Sequence, residues 1–375
     1  MRHVLTSFAL MVGLLAPATV AGSAASAERA PVPSTSATGG GAASADRPVA
    51  ARPKKKRKNR TKVRATWSAS SVQIGGLAAV TGKVKDKGRL KRKVVLQMKH
   101  ADGWKKVQST KTNKKGEFAL QVPSDWLYSM KSRVLTKKKK RSPGAKSKTQ
   151  RFQVVPDFVP AGSPDSWSYL NPANRLRWNP CQTISYRVNV AQAPAGTEEA
   201  IHRAFGAMSG ASGLRFKFKG YTEAIYRGRP GTGKWERDTD LVVSWALPEQ
   251  TTLDFSGAHA WGGVQDAVWG RDRKGRLGKI TKGGTTFDAT TPGGWPYMKA
   301  YDVLLHELGH VVGLGHVDDP TQIMATGVEG PYIYGAGDLT GMRTIGKQKG
   351  CVKTIRRRGA DMISPADAGL LVALP

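Results

Sequence analysis

The sequence predicts a multidomain protein in which an all-β sandwich is followed by an α+β domain. Three observations carry this expectation. Residues 61–155 break into short runs of alternating apolar and polar residues, separated by turn signals. From residue 166 onward, strand-like runs share the chain with longer helical patterns. Charge divides at nearly the same place: residues 47–155 hold 33 Lys or Arg against four acids, a net of +29, whereas 156–375 hold 25 against 21, a net of +4. At 375 residues the chain is long enough for two domains and a sizeable core.

The chain opens on Met1-Arg2-His3 and an apolar run from Val4 to about Val20, with small residues after it, including Ala25-Ser26-Ala27. This reads as a secretory signal peptide over 1–27, cleaved after Ala27 or a nearby Ala. No later stretch is apolar for 18 residues, so no membrane span is expected to follow. A secreted, extracellular protein is the expectation, with association to a cell wall as an option. Residues 28–60 are rich in Ala, Ser, Pro and Gly and then basic through Lys54-Lys55-Lys56-Arg57-Lys58-Asn59-Arg60. Little there can be buried, which predicts a disordered basic linker.

Over 61–156 five strands are legible: Val63–Trp67, Ala78–Val84, Lys93–Met98, Trp104–Thr110 and Gly116–Val122. Gly-Gly at 75–76 and the Asp-x-Gly, Asp-Gly and Asn-x-x-Gly turns at 86–88, 102–103 and 113–116 separate them. A last strand, Thr149–Val155, follows a basic run at 137–141 expected in a hairpin loop. Such spacing predicts an antiparallel sandwich with one strongly basic face. The stretch "GWKKVQSTKTNKKGEFALQVP" resembles the immunoglobulin-like accessory domains of secreted bacterial proteins. Pro156, Pro160 and Pro164 mark a linker over 157–165 into the domain at 166–375.

That domain should begin with a strand at Thr183–Val190, then a helix over Glu198–Ser209 capped by Thr197, with Glu198 and Glu199 favourable in its first turn. Strands follow at Leu214–Phe218, Asp240–Trp245 and Gly257–Val264. A further one runs over Gly278–Thr281 and Thr285–Asp288 and is expected to bulge at Gly283-Gly284. A long helix then runs from about Tyr297 to Gly313. It carries His306-Glu307-Leu308-Gly309-His310-Val311-Val312-Gly313-Leu314-Gly315-His316. Residues four apart share a helix face, so His306 and His310 can take two corners of a zinc tetrahedron. Gly313 can stop the helix and turn the backbone, returning His316 as a third ligand. Glu307 can then reach a water rather than the metal. Three ligands and an open fourth position are the composition of a catalytic zinc site. Cys181 and Cys351 are the only cysteines, and in an exported chain the pair favours one disulfide around this motif over two free thiols.

The pattern H-E-x-x-H-x-x-G-x-x-H resembles the zinc signature of the metzincin metallopeptidases at every fixed position, closest to a secreted bacterial matrixin-like protease. The resemblance implies a mixed sheet with a zinc-binding active-site helix. It also implies a metalloendopeptidase that hydrolyses peptide bonds by zinc-activated water, with Glu307 as general base. Peptide substrate would add as a strand along a sheet edge, here 257–264. Met324, eight residues after His316, matches the metzincin Met-turn and would supply a soft apolar floor. Gly337–Gly346 resembles the final helix of the matrixin-like branch. Three positions depart from the family pattern: Val317 stands where matrixins usually have Ser, no Tyr lies two residues after Met324, and no cysteine precedes the domain to block the metal.

The remaining candidates have plainer readings. His100 and His202 read as structural or exposed, and His259 could face the cleft. Tyr332 and Tyr334 are distant candidates for an oxyanion donor, and Asp318 and Asp319 read as a solvated turn or as support for the ligand loop. Calcium is open, since Asp266, Asp272 and Asp288 show no loop pattern. The expected partner is a protein or peptide substrate, met by a monomer. The alternative function is a polyanion- or cell-wall-binding protein whose basic first half, with Trp67, Trp104, Trp126 and Tyr128 among its cations, is the working part.

Overall fold

The computed structural model describes residues 60–86, 91–140, 142–228, 235–291, 293–326, 332–355, 363 and 372–374. The expected signal peptide and nearly all of the basic linker lie outside these residues. Residues 57–375 pack as one compact unit.

The first part contains β1 (Lys62–Trp67), β2 (Ser71–Gln73), β3 (Ala79–Lys85), β4 (Lys93–His100) and β5 (Gly103–Lys111). After them come β6 (Glu117–Gln121), β7 (Tyr128–Thr136), β8 (Ala145–Lys146) and β9 (Gln150–Val155). One sheet has the order β1-β3-β6 and the other β2-β9-β7-β4-β5, with β8 on β7. Val80, Val84, Leu96, Met98, Phe118, Leu120, Met130, Val134 and Phe152 are buried in one core cluster, which is what period-two alternation dictates. Two features differ from the expectation. The short β2 pairs parallel to β9, so the larger sheet is not wholly antiparallel. Strand β7 was not legible, because Ser132 and Thr136 point inward among its apolar residues and mask the alternation. Their hydroxyls are satisfied by the Gln150 and Lys93 carbonyls. The basic run is an exposed turn at its described residues 137–140, tied by a bridge between Lys139 and Ser142.

The second part adds β10 (Ser168–Tyr169), β11 (Thr183–Asn189), α1 (Thr197–Ser212), β12 (Arg215–Tyr221), β13 (Leu241–Ala246), β14 (Ala260–Asp272) and β15 (Gly275–Asp288). It continues with α2 (Tyr297–Val312), β16 (Leu314–Gly315), α3 (Ala336–Ile345), β17 (Lys353–Thr354) and β18 (Val372–Leu374). The sheet runs β12-β11-β13-β15-β14, with β17 and β18 both on the outer side of β14. Strands β11, β12, β13 and β15 are parallel, and β14 returns antiparallel to β15, so the sheet is mixed.

Three local expectations are corrected. Helix α1 begins after Gly196, which is left-handed at φ 82°, and Thr197 does not cap it; its hydroxyl donates to the Pro194 carbonyl. Strand β15 is unbroken across Gly283-Gly284, and the irregularity lies next to it, where the register skips Gln265 on β14 and then Thr281 on β15. Strand β14 starts at Ala260, and its outer edge is not free, because β18 pairs with Ala260–Gly262.

The two parts share a core. Trp126 of the sandwich lies over Gly213, where a Cβ would fall 2.6 Å from the indole ring. Gly213 also has φ 71°, so glycine is needed twice over, to end α1 and to admit the indole. The β4–β5 hairpin grips the segment before the disulfide. Ala101 donates to the Gln348 carbonyl, His100 Nδ1 to that of Lys347, and Cys351 N–H donates to Asp102. Cys181 and Cys351 are bonded, 170 residues apart in sequence.

Candidate metal centre

Helix α2 places the motif. Its last turns are buried on every side from Leu304 to Val312, and the left-handed Gly313, at φ 111°, ends it. An alanine at 313 would also meet the Leu176 carbonyl at 2.4 Å, so the turn requires glycine. The chain then doubles back through β16, which pairs with β10, and His316 returns to the helix.

The three imidazoles converge. Nε2 of His306 lies 2.9 Å from Nε2 of His310 and 3.0 Å from that of His316, and the last two are 3.1 Å apart. These contacts are not hydrogen bonds of the usual kind. His306 Nδ1 donates to the Ile323 carbonyl at 2.7 Å and His310 Nδ1 to the Leu314 carbonyl at 2.8 Å. With Nδ1 protonated, the Nε2 lone pairs of these two rings face each other, an arrangement that a cation relieves. A tetrahedral zinc with Zn–N of about 2.0–2.1 Å separates its ligand nitrogens by about 3.3 Å, so the triangle is close to the right size. Burial lowers the pKa of all three rings, that of His306 to about 3, which favours the neutral ligand form. Among the described residues, this is the one group of three or more His, Cys, Asp or Glu whose ligand atoms converge in this way.

Glu307 is fully buried and neither carboxylate oxygen has a hydrogen-bond partner. Burial alone raises its pKa well above the ordinary value. A buried carboxylate without donors is costly for structure and suits a proton acceptor that waits for a substrate and water. Gly262 of β14 is packed on it: a Cβ there would fall 2.4 Å from Oε2 and 2.8 Å from both Cβ and the carbonyl of Glu307. The donor set, the lone-pair geometry and this orphaned carboxylate together fit a zinc ion.

Met324 lies beneath helix α2. Its Sδ would be 2.3 Å from a Cβ at Gly309, so the glycine admits the thioether. The turn is held from behind by a carboxylate that sequence reasoning passed over. Asp338, buried in the first turn of α3, accepts N–H from Ile323 at 2.7 Å, Met324 at 3.3 Å and Gly335 at 2.9 Å. Burial is the larger influence and moves its pKa up to about 6, against these three donors. Gln322 completes the brace: its Oε1 accepts from Gly337 and Asp338 N–H, and its Nε2 donates to Asp319. The sequence signal for Asp338 was slight, an acid three residues into a helix after Gly335. For Gly262 there was none.

The other candidates fall elsewhere. Asp319 does support the ligand loop, accepting from Thr321 N–H and Oγ1. Tyr334 is buried and its hydroxyl donates to the Leu305 carbonyl, so it braces α2, while Tyr332 is exposed. His259 sits edge-on to Trp295 and is not among the converging rings. His202 of α1 meets the Tyr186 hydroxyl of β11, and His100 serves the contact between the two parts. Asp272 pairs with Arg177, and Asp288 caps the turn at Thr290.

Residues 177–334 match the family model for Matrixin. That span holds all three histidines, Glu307 and Met324, and it supports a metallopeptidase of the matrixin type, a family whose members are zinc-dependent. No curated protein matches the chain. Two solved structures show weak likeness. A PKD domain of an M14-like peptidase from a Thermoplasmatales archaeon is 14% identical, covering 26% of this chain and 99% of its own, with a TM-score of 0.19. A cycloisomaltooligosaccharide glucanotransferase from Paenibacillus sp. is 9% identical, covering 64% of this chain and 35% of its own, with a TM-score of 0.18. At those scores neither carries an assignment. Among the described residues, no helix is long and apolar enough to cross a membrane.

Proposed function

We propose that the protein is a secreted zinc metalloendopeptidase with His306, His310 and His316 as metal ligands and Glu307 as general base. The observation that carries this reading is the triangle of Nε2 atoms beside a buried carboxylate with no partner. Zinc held there would polarise a peptide carbonyl and activate a water for attack on it. Glu307 would take the proton of that water and hand it to the leaving amine. Full burial of Glu307 keeps bulk water from the carboxylate, and the Ile323 and Leu314 carbonyls fix the rings. Cleavage of a peptide library by the protein, with chelator and after zinc is restored, tests the proposal. Cleavage should stop with chelator and return with zinc. Chelator-resistant cleavage, or none by the zinc-loaded protein, would refute it.

A second role for the sandwich has its own support. Four acids cannot balance the 33 cations of residues 47–155, and three of those acids, Asp86, Asp102 and Glu117, already pair with Arg92, Lys105 and Lys83. We infer a tether to an anionic extracellular polymer, acting beside the peptidase and not in its place. Retention on an immobilised polyanion that weakens steeply with salt supports it; salt-independent passage does not.

A further inference from the structure

Strand β14 carries β15 on one side, and the end of the described chain runs along the other. Lys353 and Thr354 stand opposite Arg271 and Gly270. Ile355 and Ile363 donate N–H to the Trp269 and Ala267 carbonyls. Val372, Ala373 and Leu374 then stand opposite Gly262, Trp261 and Ala260. From the disulfide onward, these segments follow one edge antiparallel and arrive beside Gly262, the residue packed on Glu307. Neighbouring strands lie about 4.8 Å apart, so the backbone of β18 is one strand spacing from the wall of the proposed site.

An exposed strand edge beside a reactive carboxylate is a place where an extended peptide can add through main-chain hydrogen bonds. Here the chain's own strand takes those bonds. We propose that β18 occupies the peptide-docking edge at Ala260–Gly262 and holds the site self-blocked until an extended peptide displaces it. The proposal rests on the peptidase reading above.

The attachment of β18 suits such exchange. Ile363, the nearest described residue before it, is buried in the core, and Cys351 is covalently fixed to Cys181. Release of β18 therefore leaves β17 and the core in place. Eight residues, 364–371, separate Ile363 from β18 in the sequence. Because β18 belongs to the same chain as the edge it pairs with, it competes intramolecularly with dilute peptide and can yield to a better one. β18 pairs through three residues only, so few main-chain bonds have to be exchanged.

The experiment uses the zinc-loaded full chain, a form lacking residues 364–375, and the full-length Val372→Pro variant, which removes the N–H that faces Gly262. The probe is a labelled synthetic peptide with the sequence of residues 369–374. Both altered proteins should bind it at least about ten-fold more tightly than the full chain, as loss of a tethered competitor dictates. Amide exchange at Ala260–Gly262 should be faster in both, and kcat/KM for a peptide substrate should rise by a similar factor. Equal probe affinity and equal exchange in all three proteins would overturn the proposal. Failure of every form to cleave peptide would instead overturn the peptidase reading, while affinity and exchange still decide whether β18 blocks the edge.

Discussion

Replacing Glu307 by Gln separates chemistry from structure at this site. The carboxylate is fully buried, neither oxygen accepts a hydrogen bond, and burial holds its pKa high. No fold-stabilising bond is therefore lost when it becomes an amide of the same shape. The unfolding free energy of the metal-free protein at neutral pH should not fall and should rise, because the amide carries no charge whose burial opposes folding. Zinc content should hold, because the three ligands and their carbonyl partners are untouched. Turnover should not survive. A positioned general base contributes about 10²–10⁴ in rate, equivalent to about 3–5 kcal/mol in the barrier. The assay is kcat on a quenched peptide at saturating zinc, with metal analysis on the same samples and urea unfolding after the metal is removed. Glu307→Ala is the poorer probe, since it adds a cavity beneath Gly262. Near-parental turnover with full zinc would refute the role of Glu307. A loss of several kcal/mol of stability would refute the claim that the carboxylate holds nothing in place.

Three further outcomes follow from contacts around the site. Gly262→Ala drives a Cβ to 2.8 Å from the Glu307 carbonyl, which cannot yield as a flexible side chain would; a loss of about 1–3 kcal/mol in urea unfolding and a fall in turnover are expected, and a silent variant would contradict the packing. Asp338→Asn turns an amide N–H₂ toward backbone donors at Ile323, Met324 or Gly335, costing about 1–3 kcal/mol. Because Ile323 also orients His306, zinc affinity should weaken by about 10–100-fold, which competition with a chelating dye measures. For the metal-free protein, burial holds the His306 pKa near 3 against 6.5 unfolded. The unfolded chain then binds the extra proton first, so stability is full above about pH 6.5 and is lost as pH falls toward 3. Urea midpoints at pH 7.5 and 4.5 should differ in that direction, and zinc should protect. A midpoint flat across this range would contradict the burial of the ring.

Much of the site is legible because its chemistry is local. His306 and His310 are one helical turn apart, and Gly313 forces the return of His316 within three residues, so spacing alone brings the three imidazoles together. Met324 is near enough in sequence to follow from the same turn. The braces are different. Asp338 reaches Ile323 across 15 residues, and Gly262 meets Glu307 across 45, and both contacts arise from how α3 and β14 are laid on α2. Nothing in residue type marks them beforehand. The same holds for β7, whose inward Ser132 and Thr136 are satisfied by distant carbonyls, and for the paired irregularity at Gln265 and Thr281, whose place depends on the register of two strands.

The sequence by itself determined the sandwich followed by a mixed α+β part, the helix that carries the histidines and the disulfide partners, and it marked the histidines as candidate metal ligands. Each of these follows from periodicity, from the residue types available, or from spacing within one short stretch of chain. Tertiary structure alone decided which groups face the carboxylate, which acid holds the Met324 turn, and how the edge of β14 is occupied. The open sheet edge that the motif led one to expect is lined by the chain's own later segments. Strand pairing between residues more than a hundred positions apart is chosen by whole-sheet packing, so no local pattern in Val372–Leu374 could have announced it.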